Sequence, residues 1–158
     1  MTTIDTPIVV TAIPDGNPAL HADTSEDTHT LIERVLAIDT EQRRTTLVCA
    51  WDRPARSQHD EGGSLYPDSY LRVASHPPTG WGALWWVGEH HGRPSLLVTH
   101  DPTGPHDRPE LTFDIDADEF FPTTAALPLE AVRRALHDYI STAQLPTRVG
   151  WQPTMMLL

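Results

Sequence analysis

Lysine is missing from this 158-residue chain: its 11 basic side chains are all arginine, set against 22 carboxylates for a formal charge of −11 with histidine neutral. The accompanying abundance of Ala, Arg, Pro, Gly and Thr is a compositional habit and carries no mechanism. The acid excess is spread along the chain, roughly −6 before Gly80 and −5 from there onward. A surface of that sign repels nucleic acid and anionic membranes and draws basic partners. It also serves plain solubility.

Cysteine is nearly absent. The single Cys49 rules out an internal disulfide framework, and its place in Thr45–Trp51, an apolar run, reads as a buried, inert thiol. No apolar stretch is long enough to span a membrane, and Met1–Asp5 has no basic segment leading into an apolar one. Together these predict a cytoplasmic protein. Chemistry-bearing motifs are equally scarce. Ser64, Ser69 and Ser95 lack a nucleophile elbow, and no glycine-rich phosphate loop or dinucleotide fingerprint occurs. His90-His91, His100-Asp101 and His106-Asp107 have neither helical His-x3-His spacing nor cysteine partners, so they read as loop histidines. No catalytic residue, metal or cofactor is expected.

What the sequence does contain is clear periodicity in several segments. Ile8-Val9-Val10 reads as a first strand, closed by the turn-forming Pro14–Pro18. Asp23 or Thr24 can cap a helix whose stripe is Leu31, Ile32, Val35 and Leu36 and which ends before Asp39. Arg44 to Trp51 reads as a strand, and Asp52 to Asp68, with Gly62-Gly63 and mixed charge, as a mobile loop. Ser69–Ala74 alternates as a strand. Ala83–Gly88 and Leu96–Thr99 form a hairpin across Glu89–Gly92, with Gly92 able to take positive φ.

Glu110 to Asp116 is the strictest alternation, with Leu111, Phe113 and Ile115 inward and Glu110, Thr112, Asp114 and Asp116 wet. Near the end, Leu127-Pro128-Leu129-Glu130 opens a helix running to about Ala143, with Leu129, Val132, Leu136, Tyr139 and Ile140 on one stripe. Pro146 prevents its continuation. The apolar tail Pro153–Leu158 must dock on the sheet, meet a second copy, or lie disordered. The sum is an α+β fold in a single domain over 1–158: a largely antiparallel sheet of about six strands with two helices packed on it.

Three pieces of this layout resemble one family. They are the hairpin Gly80-Trp81-Gly82-Ala83-Leu84-Trp85-Trp86-Val87-Gly88 with Gly92–Val98, the helix entered through Pro128, and the short turn into Val149-Gly150-Trp151-Gln152. Over about residues 69 to 152 the chain is similar to immunity protein family 1 of bacterial polymorphic toxin systems. The resemblance implies a small cytoplasmic protein that binds and blocks one cognate toxin, with nucleic-acid deaminases among the toxin types associated with that family.

Two features offer a binding surface. Glu110, Asp114, Asp116, Asp118 and Glu119 place five carboxylates within ten residues with no intervening base. They read as a solvated strand face, as an acidic patch for the Lys or Arg of a basic toxin groove, or as a metal site, which lacks the glycine and distal Glu of a calcium loop. Trp85 and Trp86, adjacent on a strand, must point to opposite faces. Trp85 is expected inside with Ala83 and Val87, and Trp86 with Leu84 on the other side; either both faces are covered, or one indole is exposed as a binding anchor, for which Trp86 is the candidate. The leading expectation is a non-enzymatic inhibitor of a basic toxin, a deaminase or a nuclease. The alternatives are a metal-dependent hydrolase using Asp114 and Asp116 with His100 or His106, and a protein-binding adaptor unconnected to any toxin.

Overall fold

The computed structural model describes residues 7–15 and 17–158. The Met1–Asp5 segment and Gly16 of the first turn therefore lie outside the described residues. The fold is α+β, as expected, with more strands than the pattern suggested. The strands are β1 (Val9–Ile13), β2 (Leu20–Ala22), β3 (Thr46–Trp51), β4 (Tyr70–His76), β5 (Trp81–His90), β6 (Arg93–Thr99), β7 (Thr112–Asp114), β8 (Glu119–Phe120), β9 (Leu127–Pro128) and β10 (Trp151–Pro153). The helices are α1 (Ser25–Ala37) and α2 (Leu129–Thr142). Eight strands form one sheet in the order β10-β6-β5-β4-β3-β1-β2, with β9 pairing the start of β5, and β7 and β8 form a separate two-stranded ribbon. Every pairing is antiparallel. The extra strands β2, β8 and β9 are two or three residues long, too short to show a period of two in sequence.

Local chemistry sets the element ends. Thr24 caps α1, its hydroxyl accepting the Asp27 N–H at 3.1 Å, with Glu26 and Asp27 at the positive helix end. Pro128 stands just ahead of the first turn of α2 rather than within it, because Leu127 and Pro128 are still strand, paired to Gly82 and Trp81. The helix ends on Ala143 at φ 57°, whose N–H donates to the Tyr139 carbonyl at 2.7 Å. The β5–β6 hairpin turns through His91 (φ 53°) and Gly92 (φ 73°). Two successive positive φ values make a type I′ turn, whose twist suits the strands it joins.

Both faces of the sheet are covered. On one face α1 and α2 bury Leu31, Ile32, Val35, Leu36, Val132, Leu136 and Tyr139 against Val10, Val48, Leu71, Val73, Leu84 and Trp86. Gly82 of β5 is closed in from two sides: an added Cβ would lie 2.7 Å from the Ala74 carbonyl of β4 and 2.9 Å from Leu129 Cδ2 of α2. On the other face Trp85, Ala83, Ala74 and Val98 lie under Leu111, Phe113, Phe121, Ala125 and Ala126. A neighbouring cluster of Leu47 and Cys49 lies under Ala55 of the 52–68 loop. Cys49 is buried as expected, and burial pushes its thiol up to about 12.

The 52–68 loop is tied at several points. Arg56 and Leu65 exchange backbone hydrogen bonds at 2.6 and 3.0 Å, and Asp60 accepts the N–H groups of Ser57 (2.6 Å) and Ala19 (3.2 Å). Those bonds hold the Asp60 carboxyl below its ordinary range. The tail docks on the sheet: Thr154 N–H donates to the Leu96 carbonyl at 3.1 Å, and the Trp85 indole N–H donates to the Met156 carbonyl at 3.0 Å.

Candidate partner-binding surface

The Trp85–Trp86 pair divides between the faces with the neighbours expected. Trp85 is 1% exposed and Trp86 2%. Trp85 packs on Phe113 at a ring-centroid separation of 5.5 Å, and Trp86 meets Tyr139 edge-on at 6.0 Å. Trp86 as a surface anchor is therefore corrected. Helix α2 roofs the face on which its indole lies, so both indoles serve the core.

The Glu110–Asp116 alternation survives only in part. Leu111 and Phe113 are buried as read, but Ile115 is 40% exposed and Thr112 is buried. The cause is Asp114. Its carboxylate accepts the Asp116 N–H at 3.0 Å, and that Asx turn bends the chain out of the strand after three residues. A register irregularity between Thr112 and Asp114 accompanies it. Thr112, expected in water, meets the α1–β3 connection instead: its hydroxyl donates to the Glu41 carboxylate at 3.0 Å.

The five carboxylates come to one end of the molecule with different status. Asp116 is engaged by Arg44, whose Nε donates to Asp116 Oδ2 at 3.0 Å and whose Nη2 also contacts that oxygen. This carboxylate holds the Arg44 guanidinium above its ordinary range. Glu110, Asp114, Asp118 and Glu119 make no ion pair among the described residues. Glu110 and Asp118 are exposed, and Asp114 and Glu119 are half-buried. Asp114 and Glu119 are also register partners across the β7–β8 ribbon, a like-charge pairing that costs strand stability. Asp118 takes a left-handed conformation, φ 52°, at the ribbon's turn, one that Asp tolerates better than most residues.

Sequence reasoning missed the apolar part of this surface. Ile115 and Phe120, 40% and 43% exposed, stand within the carboxylate cluster on the same ribbon. The phase of the alternation places Ile115 in the core, and Phe120 lies beyond the alternating segment, next to the buried Phe121. The signal was present in Asp114-Ile115-Asp116-Ala117-Asp118, where a strand tops out in a run of turn-forming Asp residues.

The ribbon stands on a firm base. Phe113 and Phe121 pack edge to face at 5.3 Å beneath it. Buried Arg108 fastens the covering segment, its Nε donating to the Pro105 carbonyl at 2.9 Å and its Nη1 to the Ala126 carbonyl at 3.1 Å. Among the described residues no three His, Cys, Asp or Glu side chains converge as a metal site would require. Also among the described residues, no helix is long and apolar enough to cross a membrane.

No curated protein gives a significant match to this sequence. The family model of immunity protein Imm1 matches residues 17–153, spanning both helices and the whole of the large sheet beyond β1, and the chain belongs to that family.

Proposed function

We propose that this immunity protein neutralises a basic toxin acting on nucleic acid, a deaminase or a nuclease, by laying the β7–β8 ribbon into its substrate groove. Family membership makes it an immunity protein for a toxin. The observation that carries the finer reading is the ribbon itself: it joins carboxylates that make no ion pair among the described residues, Asp114, Asp118 and Glu119, with two exposed apolar side chains, Ile115 and Phe120. Apolar contacts ringed by charge are the anatomy of a protein interface. A groove that binds nucleic acid is lined with Lys or Arg, to which Glu110, Asp114, Asp118 and Glu119 are complementary.

Charge governs the encounter and burial governs its duration. The −11 chain draws a basic toxin at rates raised by about ten- to a thousandfold at low salt. Desolvation of Ile115 and Phe120 against the toxin then sets the off-rate. The inhibitor performs no reaction and needs no cofactor, and it acts in the cytoplasm, where an incoming toxin meets its substrate.

The test co-expresses the chain with the toxin domain encoded directly upstream of it, reading survival and co-purification. The double variant Asp114→Arg/Asp118→Arg should lose rescue, and Phe120→Ala should shorten the lifetime of the complex with little change in the on-rate. Full rescue by the double variant would move the toxin-binding surface away from the ribbon.

A further inference from the structure

Three arginines gather in a recess of about 240 Å³ between the start of β3, the face of β4 and the 56–66 segment, which adjoins the ribbon through the Arg44–Asp116 pair. Arg44, Arg56 and Arg72 all line it, with Thr45 and His59 beside them. Arg72 projects from the helix-free face of β4, its Cα in register with Leu47 on one side and Trp85 on the other. Its Nη1 donates weakly to the Thr45 carbonyl at 3.4 Å. Arg72 Nε, Arg56 Nε and the Thr45 hydroxyl are buried with no hydrogen-bond partner among the described residues. Neither Arg56 nor Arg72 enters any ion pair among those residues, although Arg44 is neutralised by Asp116. One acidic side chain, Asp15, also lines the recess, and its Oδ2 already accepts the Arg44 backbone N–H at 3.1 Å; Leu158 lines the recess as well.

Buried donors without acceptors and part-buried cations without anions are each costly. Here two guanidinium groups without ion pairs line one cavity. We propose that this recess is an oxyanion site, taking the phosphate or carboxylate group of a small ligand. A guanidinium offers paired N–H donors at the spacing of two oxygens on such a group. Desolvation lowers the Arg72 pKa, the direction that a bound anion reverses. Arg44, which lines this recess, also holds Asp116 of the ribbon, so the recess adjoins the proposed toxin-binding surface.

The experiment measures thermal unfolding of the full chain at pH 7 in sodium phosphate, sodium acetate and sodium chloride at matched ionic strength, with equilibrium dialysis of labelled phosphate for stoichiometry. Phosphate at some tens of times its Kd should raise Tm by about 4–8 °C over chloride, with one phosphate bound per chain. Acetate matching phosphate identifies a carboxylate as an equally good occupant and also supports the site. Arg72→Met and Arg56→Gln should each remove the phosphate increment and the dialysis signal. Arg56→Gln decides the matter if Arg72→Met does not fold, since Arg56 lies outside the sheet. The proposal is overturned if neither anion exceeds chloride, or if the increment persists undiminished in Arg56→Gln.

Discussion

Removal of one oxygen, in Tyr139→Phe, tests how the two helices hold the sheet. Strand β4 pairs with β3 only across Thr46–Val48, so the Ala50 N–H on that side has no strand to bond. Tyr139 reaches from α2 through the core and its hydroxyl oxygen accepts that N–H at 3.0 Å, fully buried. Burial pushes the phenol pKa well up, so it stays neutral at any working pH. Phenylalanine keeps the ring, its edge-on contact with Trp86 and nearly all of the volume. The cost is then that of a buried donor left without an acceptor, about 1–3 kcal/mol, offset in part because the hydroxyl no longer has to be desolvated.

A net loss of about 1–2 kcal/mol follows, or about 2–8 °C in Tm for a chain of this length. Urea unfolding should show a lower midpoint with an unchanged m-value, and hydrogen exchange should quicken at the Ala50 amide. Tyr139→Leu adds loss of the ring contacts and should cost more. A Tyr139→Phe midpoint indistinguishable from that of the unaltered chain, with Ala50 still protected, would refute the reasoning, since the strand would then satisfy its N–H without α2.

Gly82→Ala places a methyl group against the Ala74 carbonyl and Leu129, and should destabilise by about 1–3 kcal/mol through overpacking of α2 on β5, read by urea denaturation. Cys49, buried with its thiol at about 12, should resist a thiol reagent at pH 8 and react at once in denaturant. Acid should weaken the fold through Glu33, Asp39 and Asp60, whose carboxyls lie below their ordinary values: Glu33 through its hydrogen bond to Arg133, Asp39 through the Glu41 N–H, Asp60 through the Ser57 N–H. Because each folded pKa is depressed, this contribution is complete above the unfolded carboxyl range near pH 4 and is lost as pH falls through the folded values. Asp60→Asn should make the fall in Tm between pH 5 and pH 2 shallower.

Long periodic segments were legible in the sequence and short ones were not. The stripes of α1 and α2 and the face assignments of Trp85 and Trp86 follow from phase, because ten or more residues keep one geometry, and Gly92 in the hairpin turn follows from its freedom at positive φ. β2, β8 and β9 escape because two or three residues hold no period; they are strands only because a neighbouring backbone lies beside them. Ile115 misled for a related reason. Its phase was right for a seven-residue strand, and the Asp114 side chain ended that strand at the third ladder residue. The Trp86 question turned on whether anything roofed its face, a tertiary fact the sequence held only implicitly in the apolar stripe of α2. Arg44, Arg56 and Arg72, spread over 29 positions, converge through the fold alone.

The covering of both sheet faces constrains where this protein can meet a partner. Helices fill one face, and the loops that carry Ala55, Phe113 and Phe121 fill the other, so the sheet itself offers no broad surface. Besides the far ends of β5 and β6, where Glu89 and Pro94 are exposed, accessible surface lies on the covering segments, and these differ in how they are held. The β7–β8 ribbon is pinned from below by Phe113 and Phe121 and from the side by the Thr112–Glu41 bond, which fixes its base, while at its tip Asp116 is held by Arg44 and Asp118 makes no ion pair among the described residues. A tip so fixed has little conformational entropy to lose on binding. The Asp114–Glu119 pairing across the ribbon carries a stability cost with no internal return, a cost that a cationic partner placed between the two strands would reverse. On the proposed mode of binding the same partner would compete with Arg44 for Asp116, which would link capture to release of that pair, and Arg44→Gln should then strengthen toxin capture by freeing a fifth carboxylate.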